Sequence, residues 1–144
     1  MQYFLFLLIL LFAPTNQTEA ASGDVTIYRD AWGVPHIYGD TEEAAAYGHG
    51  YAQAEDRIDD ILMLYTIVQG KAARAFGPDW VQKDYETILA KHAKLAKEQY
   101  PSLSPRVRRI IEFYTRGLLD YLKENPNKII KINLKKIAYN NNII

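Results

Sequence analysis

Apolar and polar residues alternate in two short stretches of the first third of the chain. Residues 24–29 place Val25 and Ile27 on one face and polar side chains on the other, the period-two pattern of a half-buried strand. Residues 34–38 are predicted as the return strand, and residues 30–33 between them carry Asp first and Gly last, as a type I turn favours. The pattern predicts a β-hairpin over 25–38. Because Pro35 cannot donate to a ladder, its strand should lie at a sheet edge or pair from its other side.

A helical period follows the hairpin and predicts a long first helix. Asp40 and Glu43 resemble a capping box, while Thr41 is an equally good N-cap, so the helix should begin near Thr41. Gly70 is the expected end. The second half carries an apolar stripe expected to face a core, made of Ile58, Ile61, Leu62, Tyr65 and Val68.

Two glycines interrupt the first half of this predicted helix. Gly48 and Gly50 each cost about 1 kcal/mol relative to alanine in a helix interior. Such a cost is usually tolerated where another backbone approaches closely. We therefore expect both glycines to pack tightly against the hairpin.

Two more amphipathic helices are predicted downstream. After a short helical turn at 71–76, Gly77–Pro78 breaks the chain, and residues 79–96 trace an apolar face that includes Tyr85, Ile88 and Leu89. The third helix begins at the Ser104–Pro105 N-cap and ends at Asn125–Pro126. The expected fold class is α+β: an N-terminal β-hairpin followed by three long amphipathic helices, each needing a partner surface.

Both ends of the chain differ from this middle part. Residues 3–13 are an unbroken apolar run, too short to span a bilayer, which needs about 20 residues. With small residues at Thr18 and Ala20, the run predicts a signal peptide over 1–20, the alternative being an uncleaved anchor. Residues 127–144 form a low-complexity Lys/Ile/Asn tail, interpreted as a truncated or frame-shifted end that could form a strand. The middle segment is residues 21–126.

Charge and composition exclude several classes of function. Basic and acidic residues balance at 17 each, so the chain has no strong field toward nucleic acid or membrane. There are no cysteines, which excludes a disulfide framework and a thiolate metal site. No cofactor is implied, and no membrane partner is expected once the signal peptide is removed.

Candidate catalytic side chains are few. His36, His49 and His92 lack the short helical spacing that sets two imidazoles on one metal, so no metal site is predicted. His36 is expected to be a buried, hydrogen-bonded structural residue, and His92 to lie on the apolar stripe of its helix. In Glu55–Asp56–Arg57 a general acid could stand beside a guanidinium, but adjacent helical residues do not face one another, so a structural salt bridge or cap is expected instead of catalysis. None of the serines lies in a G-x-S-x-G elbow, and no catalytic residue is assigned.

The hairpin and helix motifs carry a family resemblance. R-D-A-W-G-V-P-H-I-Y-G followed by Y-G-H-G-Y-A-Q-A-E-D-R resembles the start of the penicillin amidase family of N-terminal-nucleophile hydrolases, most closely the cephalosporin (glutaryl) and acyl-homoserine-lactone acylases. The resemblance covers about residues 25–126. The matching positions, all of the α-chain scaffold, are Arg29, Asp30, Gly33, Val34, Pro35, His36, Ile37, Tyr47, Gly48, Gly50, Tyr51, Ala54, Asp56 and Arg57.

The resemblance implies a fold, an activity and a partner. The fold would be a fragment of a four-layer αββα sandwich. The whole enzyme would be a secreted or periplasmic precursor that cuts itself into an α chain and a β chain, whose new N-terminal serine attacks an N-acyl amide such as a β-lactam or an acyl-homoserine lactone. The nucleophile and oxyanion donors would lie beyond Pro126, so this chain alone should be inactive and should need a β chain. The alternative is a non-catalytic exported helical binding module or a gene remnant.

Overall fold

The structure is a computed structural model that describes residues 23–128. The predicted signal peptide and the predicted strand of the tail lie outside these residues. The described part begins with an antiparallel hairpin of β1 (Val25–Arg29) and β2 (Pro35–Gly39), in which Ile27 pairs with Ile37. The prediction of a hairpin is confirmed, with the return strand one residue later than expected.

The turn of the hairpin is fixed by Asp30. Its carbonyl accepts a hydrogen bond from the Gly33 N–H at 3.0 Å, and its Oδ1 accepts from the N–H groups of Trp32 and Val34, each at 2.9 Å. Gly33 has φ +80°, a conformation that suits glycine because it has no Cβ. Within the described residues the sheet has two strands, so Pro35 lies on an edge strand as its missing donor requires.

Within the described residues, five α-helices follow the hairpin. They are α1 (Glu42–Val68), α2 (Ala72–Phe76), α3 (Val81–Ala90), α4 (His92–Gln99) and α5 (Pro105–Glu124). Thr41 caps α1 by accepting from the Ala44 N–H at 3.1 Å, and Ser104 caps α5 by accepting from the Val107 N–H at 3.3 Å. The predicted starts of both helices are confirmed, and Gly70, at φ +66°, follows the end of α1.

The core lies between α1 and α5, which pack along much of their lengths. Its buried residues are Ala54, Ile58, Leu62, Tyr121 and Leu122. Full burial of a leucine or isoleucine side chain stabilises a fold by about 1.5–3 kcal/mol, so this cluster supplies much of the driving force for pairing the two helices. The hairpin packs on the N-terminal half of α1 through Val25, Ile27 and Ile37.

The predicted long second helix is wrong in one respect: it is broken into α3 and α4. Lys91 has φ +57° and ψ 25°, the left-handed conformation, and its N–H is bonded to the Ile88 carbonyl as α3 ends. The apolar face read from the sequence exists, but it is not buried. Tyr85, Ile88 and Leu89 are 58, 60 and 60% exposed, because the described elements leave most of this face uncovered.

The apolar stripe of α1 is buried only in part. Ile58 and Leu62 belong to the core that α1 shares with α5, whereas Tyr65 and Val68, nearer the C-terminal end of α1, are exposed. The α1 backbone also leaves the helical region at Arg57, with φ −144° and ψ 35°. No helix among residues 23–128 is long and apolar enough to cross a membrane.

Candidate functional site

The motif residues of the sequence meet where the hairpin rests on α1, and Arg29 is the centre of this cluster. Its Nη2 donates to Glu55 Oε2 at 2.6 Å and lies 2.9 Å from Asp56 Oδ1. Its Nη1 donates to the Gly33 carbonyl at 2.9 Å, so one guanidinium joins the strand, the turn and the helix. The hydrogen bonds to Glu55 and Asp56 raise the pKa of Arg29 above its ordinary value. We call Arg29, Gly33, Glu55 and Asp56 the arginine clamp.

The clamp identifies the salt-bridge partner of Asp56. Asp56 binds Arg29 on the hairpin and not its chain neighbour Arg57, because adjacent helical residues project about 100° apart around the axis. Arg57 is exposed and occupies the interruption of α1. The structural role predicted for Asp56 matches its contacts, but its partner lies 27 residues away.

His36 is hydrogen-bonded, as expected, but it is not buried. Its Nε2 lies 3.1 Å from Asp30 Oδ2, and its side chain is 46% exposed. The reason is strand alternation: His36 pairs with Tyr28 on the face that points away from α1, while Ile27 and Ile37 point toward it. The hydrogen bond from His36 lowers the pKa of Asp30, with the turn N–H groups adding to the effect.

Gly48 and Gly50 serve different partners. A Cβ at Gly48 would meet Val25 Cγ2 at 2.6 Å and Ile37 Cγ2 at 2.8 Å, so Gly48 packs against the hairpin as predicted. Gly50 does not: it lies against the Tyr114 carbonyl of α5. Two residues along a helix rotate the direction by about 200°, so the two glycines face opposite sides of α1.

Tyrosines complete the α1–α5 contact. Tyr51 Oη donates to Glu124 Oε2 at 2.7 Å, and Tyr47 Oη donates to Asp120 Oδ2 at 3.3 Å. The hydrogen bond to Glu124, with burial, raises the pKa of Tyr51 to about 12. A phenol with this pKa stays protonated near neutral pH, so Tyr51 acts here as a hydrogen-bond donor between the helices.

The remaining histidines and serines are not brought together. The rings of His49 and Tyr114 form a T-shaped pair with 5.6 Å between centroids, and His92 is exposed at the start of α4. Ser104 is occupied as a helix cap, and Ser102 Oγ donates to the Gln99 carbonyl at 2.7 Å. In the described part of the chain, no three His, Cys, Asp or Glu residues are placed to hold a metal.

Several long-range structural contacts were not predicted from the sequence. Asp84, which is buried, accepts from the Ala72 and Ala73 N–H groups at 2.8 Å each and so caps α2 from another helix. Arg106 binds Glu42, and Arg109 binds Glu43 at 2.9 Å, across α1 and α5. The partners in these pairs are 11 to 66 residues apart, beyond the local windows that periodicity and capping rules examine.

Comparison with known proteins agrees with the motif and the fold. The sequence model of the penicillin amidase family matches residues 24–140. The match therefore extends beyond Pro126 into the Lys/Ile/Asn tail. The chain is 33% identical over 119 residues to the acyl-homoserine lactone acylase QuiP of Pseudomonas fluorescens, covering 81% of this chain and 15% of that protein. It is 30% identical over 115 residues to penicillin G acylase of Escherichia coli, covering 78% and 14%.

A solved structure shares the fold. The thermostable penicillin G acylase from Alcaligenes faecalis superposes with a TM-score of 0.68 at 26% identity, covering 81% of this chain and 62% of that chain. The chain spans about 15% of the length of the curated relatives that it matches. The hairpin, the helices packed on it and the matched sequence together establish that this chain belongs to the penicillin amidase family.

Proposed function

We propose that this chain is the N-terminal scaffold segment of a secreted or periplasmic acylase that hydrolyses N-acyl amides of the β-lactam or acyl-homoserine-lactone type. The catalytic N-terminal serine and the second, β chain would come from the remainder of such an enzyme. Relatives named acyl-homoserine lactone acylase and penicillin G acylase support the substrate class. A signal peptide over residues 1–20 would account for export.

The observation that carries the proposal is the arginine clamp. The charged side chains of the family motif bind one another, with Arg29 held by Glu55 and Asp56, and Asp30 held by its own turn and His36. In residues 23–128 no serine lies beside a base: Ser102 and Ser104 are both bonded to backbone. A nucleophile needs a base within hydrogen-bond reach, so these contacts favour a scaffold role.

The scaffold role has a physical content. The clamp fixes the hairpin on the N-terminal half of α1, and the glycine contacts fix α1 on α5, so three elements hold one geometry. In an N-terminal-nucleophile enzyme the reacting serine and the oxyanion donors must be held closely, because small misplacements cost large factors in rate. Residues 24–128 would then contribute rigidity to a site built by other residues.

The proposal is tested by separating the chain from the rest of an acylase. The purified chain is expected to release no product from penicillin G, a glutaryl-cephalosporin or an acyl-homoserine lactone above a heat-inactivated control. A chimera in which residues 24–128 replace the matching segment of the Pseudomonas fluorescens relative is expected to self-cleave, seen by mass spectrometry, and to hydrolyse acyl-homoserine lactone. Turnover by the isolated chain, or a folded chimera that never matures, would overturn the proposal.

A second function, a non-catalytic exported helical binding module, is favoured by one observation. The exposed apolar side chains of α3 form a surface suited to contact with a partner protein. Size-exclusion chromatography with thermal melting separates the two: a compact monomer with one cooperative transition supports a module, and an associating chain without one supports an acylase segment that needs its remainder.

A further inference from the structure

A groove outside the motif cluster lies between the C-terminal end of α1 and the junction of α3 with α4. Its volume is about 360 Å³. We call it the basic groove, and it is defined by Val68, Gln69, Thr87, Ile88, Lys91, His92, Ala93 and Lys94. None of these residues takes part in the arginine clamp or in the α1–α5 core.

The floor of the basic groove is apolar and open. Val68 and Ile88 are 40 and 60% exposed, although both come from amphipathic faces that the sequence pattern assigns to a core. Ile88 also packs on Gly70, where a Cβ would lie 2.6 Å from Ile88 Cγ1, so its position is fixed by the end of α1. Tyr85 and Leu89 extend the exposed apolar surface along α3.

The rim of the groove is positively charged. Lys91 occupies the left-handed break between α3 and α4, which turns the chain at the groove's edge, and it forms no ion pair within the described residues. Lys94 pairs with Glu98 at 3.7 Å with 66% of its side chain exposed, and exposed pairs of this type contribute little to stability. From residue 87 to residue 97 the sequence has three lysines and no acid.

We propose that the basic groove docks a helical polypeptide segment whose apolar side chains, at helical spacing, are flanked by carboxylates. An apolar side chain would cover Val68 and Ile88, while carboxylates would pair with Lys91 and Lys94. The chemistry follows from charge complementarity, since a basic segment would be repelled by both lysines and a neutral one would leave Lys91 without an ion pair beside a buried contact. This inference rests on the proposed function, because the segment is expected to come from the remainder of the acylase.

The test uses the full chain and two labelled peptides of about four helical turns. Both have leucines at helical spacing; one has glutamates between them and the other has lysines at the same places. Fluorescence anisotropy is expected to show about tenfold tighter binding of the acidic peptide, because two favourable charge pairs in one complex are compared with two repulsive ones in the other. Lys91→Glu with Lys94→Glu is expected to reverse this preference.

The matched control is Lys83→Glu, a charge reversal on α3 outside the groove, which should leave both affinities within about twofold. Val68→Ser should weaken both peptides equally, because it removes apolar floor and no charge. Equal affinity for the two peptides, or an unchanged preference in the double variant with native circular dichroism, would refute the proposal. So would sedimentation showing that a second copy of the chain closes the groove. The acylase assay reads the proposed function separately, because peptide binding requires no turnover.

Discussion

Gly50 on α1 and Gly117 on α5 mark the same helix crossing from its two sides. Gly50 lies against the Tyr114 carbonyl of α5, and Gly117 lies against the Tyr47 carbonyl of α1. Each helix therefore presents hydrogen where a methyl group would strike the backbone of the other. This reciprocal contact lets the two longest helices approach closely enough to bury Tyr121 and Leu122.

Gly50→Ala should destabilise the chain, and Gly117→Ala should do the same. The added methyl would strike main chain, which cannot rotate away, at a cost near the upper end of about 1–3 kcal/mol for overpacking. The higher helix propensity of alanine offsets about 1 kcal/mol of this cost. The net loss in the free energy of unfolding, measured with urea, should be about 2 kcal/mol.

Gly48→Ala serves as the comparison for Gly50→Ala. Its methyl would meet the side-chain methyls of Val25 and Ile37, which can shift, so the loss should be clearly smaller. Lys83→Ala on an exposed helix surface is the control. Equal losses for the two glycine variants would contradict the backbone contact at Gly50.

Arg29→Ala should loosen the hairpin from α1. Removing three partly exposed polar contacts should cost about 1–2 kcal/mol, and part of this loss should be screened at high salt. Arg29→Lys should recover only part, because an ammonium cannot reproduce the planar fork that reaches Glu55 and Asp56 together. Amide hydrogen exchange of β1 and β2 measures the effect directly.

The control for the clamp is Lys123→Ala, which breaks an exposed contact with Asp120 within one helix. We expect it to change the free energy of unfolding by less than about 0.5 kcal/mol and to leave exchange in the hairpin unchanged. If Arg29→Ala had as small an effect, the hairpin would be held by its apolar face alone.

Stability should fall on acidification because of Glu42 and Glu43. Hydrogen bonds from Arg106 and Arg109 lower the pKa values of these carboxyls below the ordinary value of 4.5. A lowered folded pKa means that the contribution is fully present above 4.5 and is lost as the pH falls through the folded value.

The measurement is urea unfolding from pH 6 to pH 2, with side-chain NMR titration of the two glutamates. In Arg106→Ala with Arg109→Ala, the carboxyl pKa values should return toward 4.5 and the acid-dependent loss should shrink. Titration curves identical to those of the parent chain would show that the cross-helix pairs do not persist in solution.

Asp84→Asn should weaken α2 selectively. The carboxylate accepts one N–H from Ala72 and one from Ala73, whereas an amide has a single acceptor oxygen and would set its NH₂ against the other N–H. Loss of such a cap costs about 1–2 kcal/mol. Exchange of the Ala72 and Ala73 amides should speed up.

Asp79→Asn, at an exposed site next to the same helices, is the matched change and should leave α2 unaffected. Unchanged exchange at Ala72 and Ala73 in Asp84→Asn would indicate that the neighbouring backbone, and not the Asp84 carboxylate, holds α2 in place.

Local sequence chemistry determined most of the elements. The hairpin follows from the alternation of Val25 and Ile27 and from the Asp30–Gly33 turn, and the starts of α1 and α5 follow from Thr41 and Ser104. These features depend on residues within a few positions of one another, so periodicity and capping rules reach them. The family also follows from the sequence, because both stretches of its motif lie within residues 29–57 and are recognised without knowledge of the fold.

Only the tertiary structure decided the partners. Asp56 binds Arg29 and not Arg57, Gly50 faces α5 and not the hairpin, and Asp84 caps a helix that it does not belong to. Each contact joins residues far apart in the chain, and its geometry depends on how two elements cross. The apolar face of α3 shows the same limit. The sequence pattern predicts that this face packs against another element, but the elements among the described residues leave most of it uncovered.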